Sequence, residues 1–325
     1  MYKIDDEHKI KAEKHYSQYK EKVLKVIKDF LEIVPKDSYA HVFLSRAKYD
    51  EGRLRVLLMG DFQEQKLLIK EVDDELAVLE LRKSGASALF RPMMKKLFVY
   101  GMYDNADIFS KAEHVKQVDI EICPYCGRSY IYYADHPTKS NPNTVVKPEI
   151  DHFLPKDQYP YLAMNYYNLI PSCQVCNHAP CKWTHDPIGD TRDKECLMHP
   201  YEFKDERIEF SYKPTTKLYD KQYIEVRMNC DSTDLDEGYK NWLNLDQFYA
   251  KHNGIVKNMY VMLNCLQESY QRYTRNSFSI PAAFINNLPE IVFGYRLSPD
   301  KAKDELMYKF KKDIYMQMRK QLYGV

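Results

Sequence analysis

Between His8 and Val34, apolar residues recur at helical spacing among charged neighbours, at Val23, Leu24, Val26, Ile27, Phe30, Leu31 and Val34. That period predicts an amphipathic helix, ended by Pro35, whose ring cannot continue the turn. Leu67 to Arg82 and Arg91 to Tyr100 repeat the pattern and predict two further helices. Arg55-Val56-Leu57-Leu58-Met59 before Gly60 is a short apolar run and reads as a short strand. Near Val118 the texture changes, and to about Pro200 short apolar runs lie among Cys, His, Pro and Asn. Ile208 to Tyr212 and Tyr223 to Val226 then alternate as strands do. From Asn241 the helical period returns. Ser298-Pro299-Asp300 reads as a capped helix start, with the helix running toward Leu322. The pattern therefore predicts an α+β chain in three parts. These are a mainly helical region at 1–119, a compact metal module at 120–200, and short strands followed by helices at 201–325.

Charge changes this picture little. The 48 Lys+Arg against 47 Asp+Glu leave a net charge of +1. That excludes a globally basic nucleic-acid coat protein, so any contact with phosphate must come from a local patch. No apolar run reaches the ~18 residues of a membrane span, and no apolar leader follows the first residues, which predicts a cytoplasmic, reducing setting. Eight cysteines in 325 residues are too sparse for a disulfide scaffold. A Gly-rich loop ending in Lys-Ser/Thr is absent, so ATP dependence would have to come from a partner.

The cysteines carry the first chemistry. Cys123-Pro124-Tyr125-Cys126 and Cys173-Gln174-Val175-Cys176 are two C-x-x-C pairs. Two intervening residues let both thiolates of a pair reach one ion from a tight turn. Four sulfurs close a tetrahedral Zn²⁺ shell with no open position, which is a structural site. Gly127 supplies the freedom the first turn needs. A single C-x-x-C would also fit a thiol oxidoreductase, but the βαβ context of that chemistry is missing around Cys123. Cys181 and Cys196 are spare thiols without close partners in sequence. Cys230 and Cys265 read as buried small apolar residues.

Between the knuckles lies Glu149-Ile150-Asp151-His152-Phe153-Leu154-Pro155-Lys156, followed by Asn168-Leu169-Ile170-Pro171-Ser172 and, after the second knuckle, Asn177. Adjacent Asp and His on a strand point to opposite faces, yet on a twisted hairpin their tips can converge. Asp suits a hard metal ion and His a general base. His136, His199 and His252 lack such context and read as structural or surface residues.

The order Cys-x-x-Cys, Asp-His, Asn-Leu, Cys-x-x-Cys-Asn resembles the HNH endonucleases over roughly Ile122 to Pro187. The resemblance implies a small ββα-metal module braced by a structural zinc knuckle, flanked by the helical regions. It implies metal-dependent hydrolysis of phosphodiester bonds in nucleic acid, DNA favoured. Asp151 would bind the catalytic Mg²⁺ or Mn²⁺, His152 would be the base, Asn168 the structural amide of the hairpin, and Asn177 a second ligand. The family often has Asn-x-x-Lys after the second knuckle. Here Asn177-His178-Ala179-Pro180-Cys181-Lys182 stands there, with His185 beyond, and the Pro would interrupt a helix begun at Asn177. The last ligand is thus Asn177, His178 or His185, with Asn177 favoured by position and His185 in reserve. Lys182 and Arg128 are candidate phosphate contacts. The wider context, DHFLPK with YPYLAMNYYNLIPSC, is similar to the HNH proteins of Septu-like and retron-associated anti-phage systems, which implies an ATPase partner. The competing reading is a non-catalytic zinc-bearing nucleic-acid-binding or scaffold protein.

The last helix carries Lys301, Lys303, Lys309, Lys311, Lys312, Arg319 and Lys320 against Asp304, Glu305 and Asp313. With Met307, Phe310, Ile314 and Met318 inward, the basic residues are expected to face out, either toward nucleic acid or an acidic partner or as an ordinary solvated face.

Overall fold

The computed structural model describes residues 1–4, 7–81, 86–138, 145–213, 224–273, 282–295 and 297–324. Helix α1 (His8–Leu31) buries Ala12, His15, Tyr16, Tyr19, Val23 and Ile27 along one stripe. Helix α2 (Tyr39–Tyr49) starts at Ser38, whose hydroxyl accepts from His41 N at 3.2 Å. Residues 55–59, expected as a strand, belong instead to helix α3 (Glu51–Met59). Asp50 caps it by accepting from Gly52 N at 2.8 Å, and Leu54, Leu57 and Leu58 form its buried stripe. Helix α4 (Phe62–Leu81) opens on a reciprocal box. Asp61 accepts from Glu64 N at 3.0 Å, and the Glu64 carboxylate accepts from Asp61 N at 2.9 Å. Helix α5 (Ala86–Met94) passes into wide π-type turns at Lys95–Tyr103. Helix α6 (Lys111–Val118) follows.

Three two-stranded antiparallel sheets come next among the described residues. Strand β1 (Ala134–Asp135) pairs with β2 (Val145–Val146), and β3 (Glu149–His152) pairs with β4 (Leu169–Ser172). The β3–β4 register sets Asp151 opposite Ile170 and His152 opposite Leu169. Helix α7 (Gln174–Asn177) is a single turn. Asn177 ends it rather than starting it, and the chain then leaves through the cis Ala179–Pro180 bond. Strands β5 (Ile208–Lys213) and β6 (Glu225–Cys230) form the third pair, and their alternation of buried and exposed residues matches the sequence pattern. Arg82 and Tyr223, the expected ends of a helix and a strand, lie outside the described residues.

Helices α8 (Thr233–Asp236), α9 (Leu245–Ala250), α10 (Asn253–Tyr273), α11 (Ala282–Phe293) and α12 (Tyr308–Tyr323) complete the chain. The expected start at Ser298 gives only a 3-10 segment, Pro299–Lys303, and α12 begins after Met307, whose φ is 56°. Phe310, Ile314 and Met318 of α12 point inward as expected. The other face of α12 departs from the expectation. Asp313 accepts from Phe210 N at 2.8 Å, and Gln317 bonds both Tyr212 N and Tyr212 O, at 3.0 and 2.9 Å. These side chains finish the open edge of β5, which would otherwise present unpaired backbone groups. Lys309 is consequently buried between Asp313 and Asp205, at 3.0 and 3.3 Å, and Lys312 pairs with Asp205 at 2.5 Å. The basic residues of this helix thus include two held in internal ion pairs rather than turned outward.

The centre of the core is the segment joining β3 to β4. Phe153, Leu154, Tyr159, Leu162, Ala163, Met164, Asn165, Tyr166, Asn168, Leu169 and Ile170 are all fully buried. Buried polar side chains from distant elements hold its backbone. Asn165 donates to Val56 O at 2.8 Å and Gly60 O at 3.1 Å, tying the end of α3 to this segment. Its side-chain Oδ1 accepts from Tyr167 N and Asn168 N.

Candidate metal centre and adjoining cleft

Cys123, Cys126, Cys173 and Cys176 are buried, and their sulfurs lie within 4.8 Å of one another. Cys126 Sγ is 4.0 Å from Cys173 Sγ. Tetrahedral Zn²⁺ with sulfurs at ~2.3 Å places them about 3.8 Å apart, so the set fits zinc with a small contraction. Local structure explains the approach. Gly127, with φ of 64°, turns the chain so that its amide bonds Cys123 O at 2.8 Å. The second pair sits on the first turn of α7, with Cys173 at its N-cap. Four buried thiols cannot all ionise unaided. Burial holds the Cys123 thiol well above its ordinary range, and a cation would reverse that. Cys181 and Cys196 are buried outside the cluster, and Cys265 is exposed rather than buried.

A cleft of about 270 Å³ opens beside the knuckle, lined by Asp151, His152, Lys156, Asn177, His178 and Trp183 among others. The hairpin places Asp151 and His152 in it together. His152 Nε2 lies 3.2 Å from the carbonyl of Ala163, so this nitrogen carries the proton and Nδ1 is left to accept one. Burial, and then the charge of Lys156, hold the imidazolium well below its ordinary pKa. The ring packs edge-on against Tyr103 at 4.5 Å. Asn168 accepts from Leu154 N at 2.7 Å and donates to Leu154 O and Leu162 O at 3.1 and 3.2 Å. One buried amide therefore ties the residues just after His152 to the start of β4.

Asp151 has another set of partners than a divalent ion. Lys182 Nζ stands 3.1 Å from Oδ1 and 3.0 Å from Oδ2, and the Tyr125 hydroxyl donates to Oδ2 at 2.6 Å. Lys182 also donates to His152 O at 2.8 Å. Lys182, read from sequence as a phosphate contact, is fully buried, and its charge is matched within the protein. A divalent ion at Asp151 would share these oxygens with Lys182 and Tyr125 or displace them. Arg128 is half-buried with its guanidinium over Phe248 at 4.5 Å.

The structure brings different donors together. Glu149 Oε2 accepts from Asn177 Nδ2 at 2.7 Å and lies 2.8 Å from His178 Nε2. One carboxylate, one amide and one imidazole meet here through hydrogen bonds, and they become a donor set for a divalent cation only when Asn177 presents Oδ1 in place of Nδ2 and His178 gives up the Nε2 proton. The reserve ligand His185 lies elsewhere, stacked on Trp242 at 4.6 Å and 9°. The sequence reading missed Glu149 and Tyr125. Glu149 had a signal, since it precedes Asp151 by two on a strand and so shares its face. Tyr125 had none beyond its place inside the knuckle.

Comparison with known proteins adds one short similarity. A segment of 61 residues is 44% identical to Septu protein PtuB of Bacillus thuringiensis, covering 16% of this chain and 23% of that protein. No family model and no solved structure matches the chain. The chain is an α+β protein with a buried four-cysteine cluster suited to a metal such as zinc, and it has short-range similarity to a Septu protein. No helix among the described residues is long and apolar enough to cross a membrane.

Proposed function

We propose that the cleft hydrolyses phosphodiester bonds of nucleic acid, with DNA the favoured substrate, and that the protein acts in anti-phage defence with an ATPase partner. The observation that carries the reading is His152, held at Nε2 by the Ala163 carbonyl in a cleft that Asn177 and His178 also line. The similarity to a Septu protein supports the defence setting. His152 stays neutral because burial disfavours its cation, so Nδ1 takes the proton of an attacking water. Glu149, Asn177 and His178 would hold Mg²⁺ or Mn²⁺. The ion, when bound, neutralises charge on the phosphoryl group and the leaving oxygen. Lys182 and Tyr125 fix Asp151, and Lys182 fixes the backbone of His152, so this pair orients the base. Lys156, on the cleft wall, is placed to meet a phosphate there, and Arg128 lies against Phe248 of the neighbouring groove.

A second reading, a non-catalytic zinc-bearing nucleic-acid-binding or scaffold protein, is favoured by the Lys182 ammonium bound to Asp151. Plasmid nicking separates the two. The nuclease reading expects nicking with Mg²⁺ or Mn²⁺, none with EDTA, and a loss of at least about 100-fold in His152→Ala. Equal nicking by His152→Ala and the parent, each free of contaminating nuclease, removes it.

A further inference from the structure

One of the chain's two tryptophans lines this cleft and the other lines a neighbouring groove, and neither has a part in the hydrolytic reading. Trp183 lines it with 56% of its surface exposed. Its φ of 44° is a left-handed backbone conformation that bulky side chains rarely adopt. Its ring meets His178 edge-on at 6.4 Å. Trp242 lines a second groove of about 670 Å³ and lies flat against His185. Its Nε1 donates to Glu237 at 3.0 Å, which fixes the ring. His178 lines both spaces, so the cleft and the groove adjoin there.

The chemistry of the second groove is specific in kind. The side-chain amides of Gln174, Asn241, Asn244 and Gln247 line it, and the charged residue on its wall, Lys240, is paired with Asp236 at 2.7 Å. A surface for duplex DNA meets phosphates first and is accordingly rich in free cations. A single strand carries phosphates as well, but it also exposes the base faces and edges that a duplex stacks and pairs inside, so its surface adds flat rings to stack on and amides to bond base edges. The second description fits here. Resting on the hydrolytic reading of the adjoining cleft, we propose that cleft and groove together hold single-stranded nucleic acid. One base stacks on Trp183, and the strand runs past His178 into the amide-lined groove beside Trp242.

The placement of both tryptophans makes intrinsic fluorescence a direct probe. The His152→Ala protein, which binds without cutting, is titrated with a short oligothymidine and with the same strand annealed to its complement. The single strand is expected to quench the fluorescence, and the duplex to need at least about tenfold more protein–ligand concentration for the same effect. Adding Trp183→Ala should weaken oligothymidine binding by roughly five- to hundredfold, read by fluorescence anisotropy of a labelled strand, whereas Trp183→Phe keeps most of it. Trp183 is on the surface, so an unchanged melting temperature verifies the fold of both variants. Equal affinity for duplex and single strand, or unchanged affinity in Trp183→Ala, overturns the inference. Metal-dependent nicking by the parent without quenching removes the groove and leaves the nuclease. Quenching without any metal-dependent cleavage removes the nuclease and leaves the groove.

Discussion

At the scale of single residues, the decisive contact is the one between Asp151 and Lys182. Both are buried, at 3% and 0% exposure, so each charge depends on the other. Removing one partner of a buried pair strands the other, at a cost of about 3–5 kcal/mol. Lys182→Met should destabilise the protein by that amount in urea denaturation, and Asp151→Asn added to it should restore most of the loss. Additive losses in the double variant would show that the two side chains do not act as a pair. Glu149 predicts the opposite behaviour, because it is half exposed and its partners are Asn177 and His178. Glu149→Gln should leave stability within about 0.5 kcal/mol and raise the Mn²⁺ concentration needed for half-maximal nicking. An unchanged metal requirement would return the ion to Asp151. The motif order made Asp151 and His152 legible as a pair. It could not show that a lysine thirty-one positions away takes the carboxylate, since that contact depends on how the chain folds back beyond the second knuckle.

At the scale of elements, the knuckle and the hairpin form one unit. Tyr125 bonds Asp151, Lys182 N bonds Cys176 O at 3.1 Å, and Tyr249 bonds Cys126 O at 2.7 Å. Structural zinc contributes roughly 10–16 kcal/mol of apparent binding energy in small peptides, so loss of one ligand should spread through these bonds. The purified protein is expected to hold one zinc per chain by elemental analysis. Cys173→Ser should lose the zinc and the sharp thermal transition together. Its retention of both would refute the site. The spacing of the cysteines made this unit readable, because C-x-x-C is a local requirement of metal geometry. The element at 55–59 was not readable in the same way. A short apolar run fits a strand or a buried helix equally, and here the Asp50 cap and the bonds from Asn165 to Val56 O and Gly60 O favour the helix. Helix α12 shows the same limit. Its inward stripe was legible from period, but the pairing of Lys309 and Lys312 followed from Asp205, which belongs to another part of the chain.

At the scale of the whole molecule, histidines clamp the central segment. His152 bonds Ala163 O, His15 bonds Met164 O at 2.9 Å, His199 bonds Tyr167 O at 3.1 Å and His114 bonds Leu169 O at 2.8 Å. Burial lowers the pKa of His15 to about 3, of His114 to about 4 and of His199 to about 3. In the unfolded chain each titrates near 6.5, so on acidification the unfolded state binds protons first. Stability from these residues is therefore complete above about pH 6.5 and falls toward pH 4, each contributing a loss of up to about 1.4 kcal/mol per pH unit. Urea midpoints should decline steeply between about pH 6.5 and 5. His199→Gln should be less stable at neutral pH and show a shallower decline. A midpoint independent of pH over that range would contradict the clamp.

What the sequence by itself determined is local: the helical period of α1 and α4, the alternation of β5 and β6, the four-cysteine cluster suited to a metal and the Asp-His pair between its halves. Each follows from geometry within a few bonds, or from a ligand spacing that only a few residues set. The tertiary structure decided which groups share a partner. It took Lys182 inside to Asp151, joined Glu149 to Asn177 and His178, set four histidines on one buried segment, and left one tryptophan in the cleft and one in the groove that adjoins it. Such pairings depend on burial, which strengthens every charge and hydrogen bond it encloses and is created only when distant segments pack together.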